Sequence, residues 1–372
     1  MSTQKTRAAV AYANETKFRI ESLDIELPRA DEVLVEIKGV GICHTDLTFR
    51  SGDIPYPFPA VFGHEGSGIV KAVGAEVTKV KTGDHVLLTF MSCGNCELCR
   101  SGDPAYCRTM PQLNISGARE DGTSNLRNES GSVGSHFFGQ SSFAAHSIAY
   151  ERNVVKVDED LPVEILGPLG CSIQTGAGAV MRSLVANAGS SILITGAGPV
   201  GLSAVMGAAI RECGTIIVVE PMEERRALAK ELGATHCIDP LAVDDLAAEI
   251  MNIAPFGVDN ALDTTGRADT LEICFNCLGA KATLGLIGFS ATDSPLPGSV
   301  LGLFNVGKTI KAISEGDSNP DEFLPELIEH YRAGRLPLDR MVTKYKLSEI
   351  NQAIEDNKSG ACIKAILIPD QV

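Results

Sequence analysis

The feature of this sequence that most constrains its fold is a run of four cysteines with metal-ligand spacing. Cys93, Cys96, Cys99 and Cys107 follow the pattern C-x2-C-x2-C-x7-C. Four thiolates on one short loop can close a tetrahedral shell around a single Zn²⁺ ion. Because a closed shell leaves no open coordination position, the pattern predicts a structural zinc that organises the surrounding loop.

A second set of metal-ligating side chains is spread along the sequence. Cys43, His64 and Cys171 each have glycine close by, which lets the backbone approach a compact site. Two cysteines, one histidine and an open fourth position compose a catalytic zinc site of the kind that binds an alcohol. Each residue taken singly could instead be an unrelated buried side chain, and the four-cysteine run favours the metal site.

Three polar residues beside these ligands are candidates for the same chemistry. Asp46 is predicted to accept a hydrogen bond from the far nitrogen of His64, with a turn or cap residue as the alternative. Glu65 could approach the metal during ligand exchange, or pair with a buried Arg or Lys. Thr45 follows Cys43 by two positions, and its hydroxyl is a candidate for leading the alcohol proton away.

A glycine-rich turn indicates a dinucleotide site. The segment GAGPVG at 196–201 follows the apolar run 191–195 and opens an Ala-rich helix, which is the context that this motif requires. Gly196 permits the tight turn, Gly198 lets the backbone reach a pyrophosphate, and Gly201 allows close helix packing. The helix N-terminus would then meet the phosphates.

The end of the next apolar run bears on the choice of dinucleotide. Glu220 ends the run 215–220, where a carboxylate accepts from the adenosine ribose and repels a 2′-phosphate. Arg225 and Arg226 lie nearby and could argue for the phosphate, but they also suit a solvated helix face. We therefore predict NAD rather than NADP.

The order of predicted elements changes along the chain. Short β-type runs at 33–37, 67–70 and 85–88, separated by Gly and Asp turns, predict a β-rich, partly closed domain in the first third. From about residue 175, strands alternate with helices, which is typical of a doubly wound parallel sheet. A final strand at 365–368 is expected to return to the first domain. The polar, Gly-rich segment 114–135 is predicted to be a surface excursion.

Composition excludes several classes of partner. The formal net charge is −15 and no long basic run occurs, so neither nucleic acid nor an anionic membrane surface is an expected partner. The N-terminal residues lack a signal-peptide pattern, and no apolar run of about 18 residues is present. A cytoplasmic protein is predicted, in which the cysteines outside the two metal sets are small buried hydrophobes. These are Cys213, Cys237, Cys274, Cys277 and Cys362.

Together the motifs resemble those of the zinc-dependent medium-chain alcohol dehydrogenases. The resemblance rests on GHEGSGIV at 63–70, the four cysteines, GPLGC at 167–171 and GAGPVG at 196–201, and it runs essentially from end to end. Segments 41–46, 137–143 and 173–178 most resemble the aryl-alcohol (benzyl alcohol) dehydrogenases, with bacterial geraniol dehydrogenases in the same group.

The resemblance implies an α/β fold with two domains. A β-rich, GroES-like catalytic domain would comprise residues 1–172 and 313–372, and a doubly wound Rossmann domain would comprise residues 173–312. It also implies two zinc ions per chain, one catalytic and one structural, with NAD as cofactor. A homodimer is expected, with a homotetramer as the alternative.

Further site residues come from the resemblance alone. His44 and Lys364 match basic residues near the pyrophosphate, and Arg225 matches one beside the adenosine ribose. Thr175 and the stretch from Ile287 to Phe289 match nicotinamide contacts. Thr45 matches the relay hydroxyl, whereas Thr48 stands where several family members have a relay histidine.

The expected reaction is the reversible oxidation of a primary aryl or allylic alcohol to its aldehyde, with NAD⁺ accepting the hydride. The pocket walls are expected to include Phe90, Phe137 and Phe138, for which plain core is the alternative. Two rival functions remain at this point. One is a glutathione-dependent formaldehyde dehydrogenase, and the other is a non-catalytic zinc- and NAD-binding protein of the same fold.

Overall fold

The computed structural model describes residues 2–288 and 294–370. The chain forms two compact units. The first comprises Met1–Cys171, Asn319–Glu326 and Asp339–Val372, and the second comprises Ser172–Ser318 and Leu327–Leu338. The sequence-based division placed residues 172, 313–318 and 327–338 in the catalytic domain, whereas they group with the second unit.

The strands of the described residues range from two to ten residues in length. They are β1 (Thr3–Ala11), β2 (Arg19–Glu26), β3 (Glu32–Gly41), β4 (Ala60–Val61), β5 (Gly66–Val73), β6 (His85–Leu88), β7 (Leu126–Asn128), β8 (Gly131–Val133), β9 (His146–Tyr150), β10 (Val154–Val157), β11 (Ser191–Thr195), β12 (Thr215–Val219), β13 (His236–Ile238), β14 (Val258–Asp263), β15 (Leu278–Leu286), β16 (Thr309–Ala312), β17 (Val342–Lys346) and β18 (Lys364–Ile368).

The α-helices of the described residues are distributed over both units. They are α1 (His44–Ser51), α2 (Glu97–Arg100), α3 (Met110–Ile115), α4 (Val163–Leu166), α5 (Ser172–Gly178), α6 (Pro199–Ile210), α7 (Glu223–Glu231), α8 (Leu246–Ile253), α9 (Ala268–Asn276), α10 (Val300–Val306), α11 (Pro320–Arg332) and α12 (Ile350–Ser359). Among the helices in residues 2–288 and 294–370, none combines the length and apolar composition needed to cross a membrane.

The first unit is built on two β-sheets. One has the order β4-β1-β2-β7-β8, and the other has the order β10-β6-β5-β3-β18-β17, with β9 also pairing with β3. Val33, Val35 and Ile37 of β3 are almost unexposed, in keeping with a strand that lies inside its sheet. The predicted return of the last strand is confirmed, since β18 pairs antiparallel with β3 through Ile366 and Gly41.

The second unit contains the predicted parallel sheet, in the order β13-β12-β11-β14-β15-β16. Its central strand β11 is apolar and unexposed at 192–194, as expected of a strand covered on both faces. The register pairs Thr195 with Asp263, Asp263 with Leu286, and Leu286 with Ala312. The carboxyl ends of these four strands therefore meet at one edge, where ligands bind in such sheets.

The prediction that residues 114–135 form a surface excursion is wrong for much of the segment. Its strands β7 and β8 extend the sheet of β1 and β2. Arg119 is 4% exposed and forms ion pairs with Glu26 and Glu32, both of which are buried. Arg119 thus belongs to a buried charge cluster, because both carboxylates meet the same guanidinium.

Candidate active site

The four cysteines of the first motif converge on one point in the first unit. Cys93, Cys96, Cys99 and Cys107 place their sulfur atoms within 4.8 Å of one another. The sulfurs of Cys93 and Cys99 lie 3.9 Å apart. A tetrahedral ion with Zn–S bonds of about 2.3 Å requires sulfurs about 3.8 Å apart, so the donor set fits zinc.

Backbone N–H groups of this loop donate hydrogen bonds to its cysteine sulfur atoms. The N–H of Cys93 donates to the sulfur of Cys107, and that of Cys96 donates to Cys93. Backbone N–H groups of Arg108 and Cys99 lower the pKa of Cys96 to about 6. Burial and the neighbouring thiols instead raise the pKa of Cys99 to about 12. Four thiolates this close repel one another, and a bound dication offsets that repulsion.

The second set converges as well. Cys43 caps helix α1, His64 lies between β4 and β5, and Cys171 follows a 3₁₀ turn, yet their ligand atoms lie within 4.8 Å of one another. The His64 Nε2 atom is 3.2 Å from the sulfur of Cys171. A hydrogen bond with Cys171 lowers the pKa of Cys43. Burial opposes this shift and the nearby His64 ring adds to it, so that the pKa remains lowered. Two thiolates and an imidazole match a zinc site with an open position.

The predicted contact between Asp46 and His64 is present. The Asp46 Oδ1 atom lies 2.9 Å from His64 Nδ1 and accepts the N–H of Gly63 at 3.0 Å. The other carboxylate oxygen accepts the N–H of Cys43 at 2.9 Å. With Nδ1 donating to the carboxylate, Nε2 keeps its lone pair for a metal.

Of the two roles considered for Glu65, the structure shows the buried pair. Glu65 forms an ion pair with Lys364, and both side chains are essentially unexposed. Lys364 also donates to the carbonyl oxygen of Ile42 at 3.0 Å. A Cβ at Gly41 would lie 1.9 Å from the Glu65 carboxylate, so glycine is required to make room for this pair. The Lys364 ammonium, which was predicted to lie near the pyrophosphate, therefore contacts the Glu65 carboxylate and the Ile42 carbonyl, between β3 and Cys43.

The hydroxyl of Thr45 lies in the first turn of α1, 3.7 Å from the sulfur of Cys43. Thr45 is half-buried, whereas its neighbour His44 is exposed. Thr48 donates its hydroxyl to the carbonyl oxygen of His44 at 3.1 Å, which is a bond within the helix. Thr45 is therefore the hydroxyl of this helix that faces a metal ligand.

The two adjacent phenylalanines occupy different environments. Phe138 stacks on the His64 ring, with centroids 4.5 Å apart and planes at 27°. Phe137 is unexposed and packs edge-on against Phe49 and Phe62, so it belongs to the core as well as contacting His64. The pair diverges because Phe138 has a φ of 51°, a left-handed conformation that bulky residues rarely adopt.

Phe90 is 3% exposed and is part of the same apolar core cluster as Phe137. Core packing, the alternative considered for these residues, therefore describes Phe90. Phe138 is the phenylalanine of the three whose ring stacks on a metal ligand.

The glycine turn of the second unit has the expected geometry. Gly196 has a φ of 88°, and a Cβ at Gly201 would lie 1.9 Å from the Gly196 carbonyl oxygen. A Cβ at Gly198, the residue that caps the N-terminus of α6, would project into open space, so the backbone there is accessible to a phosphate group. The turn and helix end thus fit a dinucleotide.

Glu220 follows β12 and is 4% exposed. Its carboxylate accepts the N–H groups of Ala197 at 2.7 Å and Met222 at 3.0 Å, which ties it to the glycine turn. Arg226 donates to the Glu220 carbonyl oxygen and pairs with Asp239. Arg225 Nε is buried and has no hydrogen-bond partner among the described residues.

The residues expected to contact the nicotinamide belong to the same unit, as far as they are described. Ile287 follows β15 and donates its N–H to the Asp263 carbonyl oxygen at 3.1 Å. Thr175 lies on α5 and is 8% exposed. Phe289 lies outside the described residues.

One residue at the metal site received no role from the sequence. Gln140 is 1% exposed, donates to the His64 carbonyl oxygen at 2.9 Å and accepts the Gly66 N–H at 3.0 Å. It fixes the backbone on both sides of Glu65. Its signal in the sequence is its position in segment 137–143, one of those that resemble the aryl-alcohol dehydrogenases.

Known proteins match this arrangement along nearly the whole chain. The family model described as "Alcohol dehydrogenase GroES-like domain" matches residues 29–159, and "Zinc-binding dehydrogenase" matches residues 199–330. Geraniol dehydrogenase of Castellaniella defragrans is 46% identical over 363 residues, which are 97% of each chain. S-(hydroxymethyl)glutathione dehydrogenase of Saccharomyces cerevisiae is 32% identical over 379 residues, 99% of this chain and 97% of that one.

A solved structure agrees with these sequence matches. The crystal structure of benzyl alcohol dehydrogenase from Acinetobacter calcoaceticus has a TM-score of 0.95 and 42% identity, covering 99% of this chain and 100% of that one. With both ligand sets assembled, the chain belongs to the zinc-dependent medium-chain alcohol dehydrogenase family: it is an enzyme with zinc and NAD as cofactors, and it joins a GroES-like domain to a Rossmann domain.

Proposed function

We propose that this enzyme oxidises primary aryl or allylic alcohols reversibly to aldehydes, with NAD⁺ as the hydride acceptor. The observation that carries the proposal is the stacking of Phe138 on His64, which puts an aromatic wall beside the three-ligand cluster. The relatives support it, because one is named a geraniol dehydrogenase and another a benzyl alcohol dehydrogenase. Their substrates carry a hydroxymethyl group next to an unsaturated carbon.

The chain's own residues have distinct tasks in this proposal. Cys43, His64 and Cys171 would hold zinc, which supplies a Lewis acid that lowers the pKa of an alcohol. Asp46 keeps the proton on His64 Nδ1. Thr45 Oγ1, next to Cys43, takes up the alcohol proton through a hydrogen bond and leads it toward solvent.

The cofactor residues orient the dinucleotide. The N-terminus of α6 and the glycine turn would hold the pyrophosphate, and Glu220 would accept from the adenosine ribose. His44, Thr175, Arg225 and the stretch from Ile287 are further proposed contacts, whereas the Lys364 ammonium is buried against Glu65 and the Ile42 carbonyl. NAD⁺ supplies the hydride acceptor for this chemistry.

A substrate panel tests the proposal. Purified enzyme is assayed at 340 nm with NAD⁺ and benzyl alcohol, cinnamyl alcohol, geraniol or ethanol. Formaldehyde with and without glutathione tests the second candidate, for which the 32% identity to the yeast S-(hydroxymethyl)glutathione dehydrogenase is the specific observation. Glutathione-dependent turnover that exceeds aryl and allylic oxidation contradicts our proposal, and so does a kcat/KM for ethanol that equals or exceeds that for the aryl and allylic alcohols.

We also propose a homodimer, with a homotetramer as the alternative. Val300, Leu301 and Phe304 on α10 are 84%, 66% and 84% exposed, next to the edge strand β16. Large apolar side chains grouped on one short helix are typical of a surface covered in an assembly. Light scattering of the wild type and Phe304→Glu would report the mass, and a monomeric wild type would contradict the proposal.

Because both zinc sets need reduced thiols, we place the enzyme in the cytoplasm.

A further inference from the structure

The turn that carries Phe138 is strained along most of its length. Within residues 136–141, left-handed φ angles of 61°, 51°, 68° and 58° occur at His136, Phe138, Gly139 and Ser141. Glycine adopts this conformation readily, whereas phenylalanine and serine do so at a cost. Such strain persists only where surrounding contacts enforce it, and it is concentrated at functional sites. The contacts that hold this turn therefore bear on the metal site beside it.

The side chain of Gln140 connects this turn to the segment of a metal ligand. Its Nε2 atom donates to the carbonyl oxygens of His64 at 2.9 Å and Thr89 at 3.2 Å. Its Oε1 atom accepts the N–H of Gly66 at 3.0 Å and the hydroxyl of Ser142 at 2.6 Å. An amide has two N–H groups and two lone pairs on its oxygen, so these four contacts use all of them.

The residue at position 66 makes room for this amide. A Cβ at Gly66 would lie 2.3 Å from Ser142 Oγ and 3.0 Å from Gln140 Oε1. A larger residue would therefore displace one or both side chains. The contact depends on both segments, since one supplies the glutamine and the other supplies the glycine against which it packs.

The main chain of Gln140 closes the turn. Its N–H donates to the carbonyl oxygen of Phe137 at 3.1 Å, and its carbonyl oxygen accepts the hydroxyl of Ser147 at 2.5 Å. Directly after the turn, backbone N–H groups at 142–143 donate to carbonyl oxygens at 62–63. Gln140 thus lies where the strained turn meets a fixed backbone pairing, and it is 1% exposed.

We propose that Gln140 is a positioning residue that holds the Phe138 ring against His64 and thereby determines the preference for flat alcohols. The ring and the metal ligand belong to the two segments that Gln140 joins, and they stack with centroids 4.5 Å apart. Without this link, the turn can relax from its left-handed conformation and the ring can leave His64. The inference rests on the aryl and allylic specificity proposed above and deepens it, because it names the residue that maintains the aromatic wall.

Fluorescence tests the position of the ring without any substrate. The chain contains no tryptophan, so Phe138→Trp introduces a single indole beside His64. Gln140→Met keeps the length of the side chain and removes its hydrogen bonds. Added to Phe138→Trp in the zinc-loaded enzyme, it should shift the emission to longer wavelength and increase quenching by acrylamide, because the indole moves out of its buried place.

Kinetics test the consequence for selectivity. In the otherwise native enzyme, Gln140→Met should lower the ratio of the ethanol KM to the benzyl alcohol KM by about two- to fivefold, because apolar contact with the benzyl ring is lost. If Gln140 acts through Phe138, then Gln140→Met should leave that ratio unchanged in a Phe138→Leu background. A merely structural role would lower thermal stability and leave the KM ratio as it is.

A second buried contact in the same unit supplies the matched control. The Asn351 amide also bridges a backbone N–H and a carbonyl oxygen, those of Phe18, at 2.9 and 3.0 Å. Asn351→Leu should lower stability without changing the indole emission or the KM ratio. Gln140→Asn keeps an amide but is one carbon too short to reach both His64 and Gly66. It should reproduce the emission shift and the lower KM ratio if Gln140→Met folds poorly.

The failures are distinguishable. Unchanged emission or an unchanged KM ratio in the folded Gln140 variants overturns the positioning role, and so does a full effect of Gln140→Met in the Phe138→Leu background. A wild type that does not prefer benzyl alcohol to ethanol overturns the proposed function, and with it the link to selectivity. The fluorescence result then still decides whether Gln140 holds the ring.

Discussion

His64 and Asp46 form a hydrogen bond of 2.9 Å, and the two residues are only 1% and 0% exposed. The same carboxylate accepts the backbone N–H of Cys43, a second member of the metal cluster. One buried side chain therefore fixes the ring of one ligand and the backbone of another. This links metal affinity to a residue that does not itself enter the cluster.

Zinc retention should depend on this carboxylate. The wild type should contain two zinc ions per chain by elemental analysis. In Asp46→Ala we expect the affinity of the Cys43, His64 and Cys171 site to fall by about 10- to 100-fold, because the ring loses its partner. A chelator titration should then remove one zinc early and leave the four-cysteine zinc in place.

The matched control is Asp53→Ala, which removes an exposed carboxylate just beyond α1. It should release zinc like the wild type. Loss of both zinc ions together from Asp46→Ala would point to general unfolding and contradict the local role.

Proton transfer should depend on Thr45 and not on Thr48. Thr45→Ala should lower kcat by on the order of 10²-fold or more with zinc still bound, and Thr45→Ser should keep most of the activity. Thr48 donates its hydroxyl within its own helix, so Thr48→Ala should change kcat little. Stopped-flow measurement of the first turnover checks both, and near-normal rates in Thr45→Ala would remove it from the relay.

The choice of dinucleotide should depend on Glu220. Wild-type kcat/KM should strongly favour NAD⁺, and Glu220→Ala should raise the ratio of NADP⁺ to NAD⁺ activity, since a 2′-phosphate no longer meets a carboxylate. Part of the loss with NAD⁺ will reflect the turn, because Glu220 also accepts from Ala197. Glu223→Ala, at an exposed position on α7, is the control. Equal wild-type activity with the two cofactors would contradict the ribose argument.

Lowering the pH should reduce the free energy of unfolding of the first unit, because Glu32 becomes protonated. Burial raises the pKa of Glu32, but His136, Arg119 and the Arg29 N–H lower it further, to about 2. We attribute most of this to Arg119, because His136 Nε2 is 3.8 Å from the carboxylate. A carboxylate with a lowered pKa contributes stability that is complete above the unfolded-state pKa of about 4.3 and is lost as pH falls toward the folded value.

Unfolding measurements test that sign. Glu32→Gln should lower the free energy of unfolding at pH 7, and the difference from the wild type should shrink as pH falls from about 5 to about 3. Glu97→Gln, which removes an exposed pair with Arg108, should show little effect at any pH. A Glu32 difference that grows in acid would contradict the assignment.

Sequence patterns predicted the parts of the molecule that local chemistry determines. The two sets of zinc ligands and the glycine turn could be predicted because ligand type, spacing and flanking glycines are visible in the sequence. They do not depend on contacts between distant segments. The strand–helix alternation likewise predicted the parallel sheet, which the structure confirms. Of the five cysteines predicted to be small buried hydrophobes, Cys274, Cys277 and Cys362 are buried, whereas Cys213 and Cys237 are only partly buried.

Contacts between distant segments could not be predicted in this way. Glu65 had two candidate roles, and the choice depended on β18 pairing with β3, which brings Lys364 beneath it. Arg119 lies in a polar stretch that resembles a surface loop, and only its pairing with Glu26 and Glu32 explains its burial. The left-handed φ values of Phe138 and Ser141 have no signal in composition, since neither residue favours that conformation.

Substrate choice is the last prediction, and it follows from Phe138. The ring stacks on His64, so a flat substrate group bound next to the cluster would lie against apolar surface. Burial of apolar area contributes about 25 cal/mol per Å², which favours benzyl, cinnamyl or geranyl alcohol over ethanol. We expect a far higher KM for ethanol.

Phe138→Leu should raise the KM for benzyl alcohol by severalfold and leave that for ethanol nearly unchanged, because ethanol has little area to lose. Phe137→Leu, a change within the core, should instead lower thermal stability with little effect on the ratio of the two KM values. Comparable kcat/KM for ethanol and benzyl alcohol in the wild type would contradict an aromatic slot.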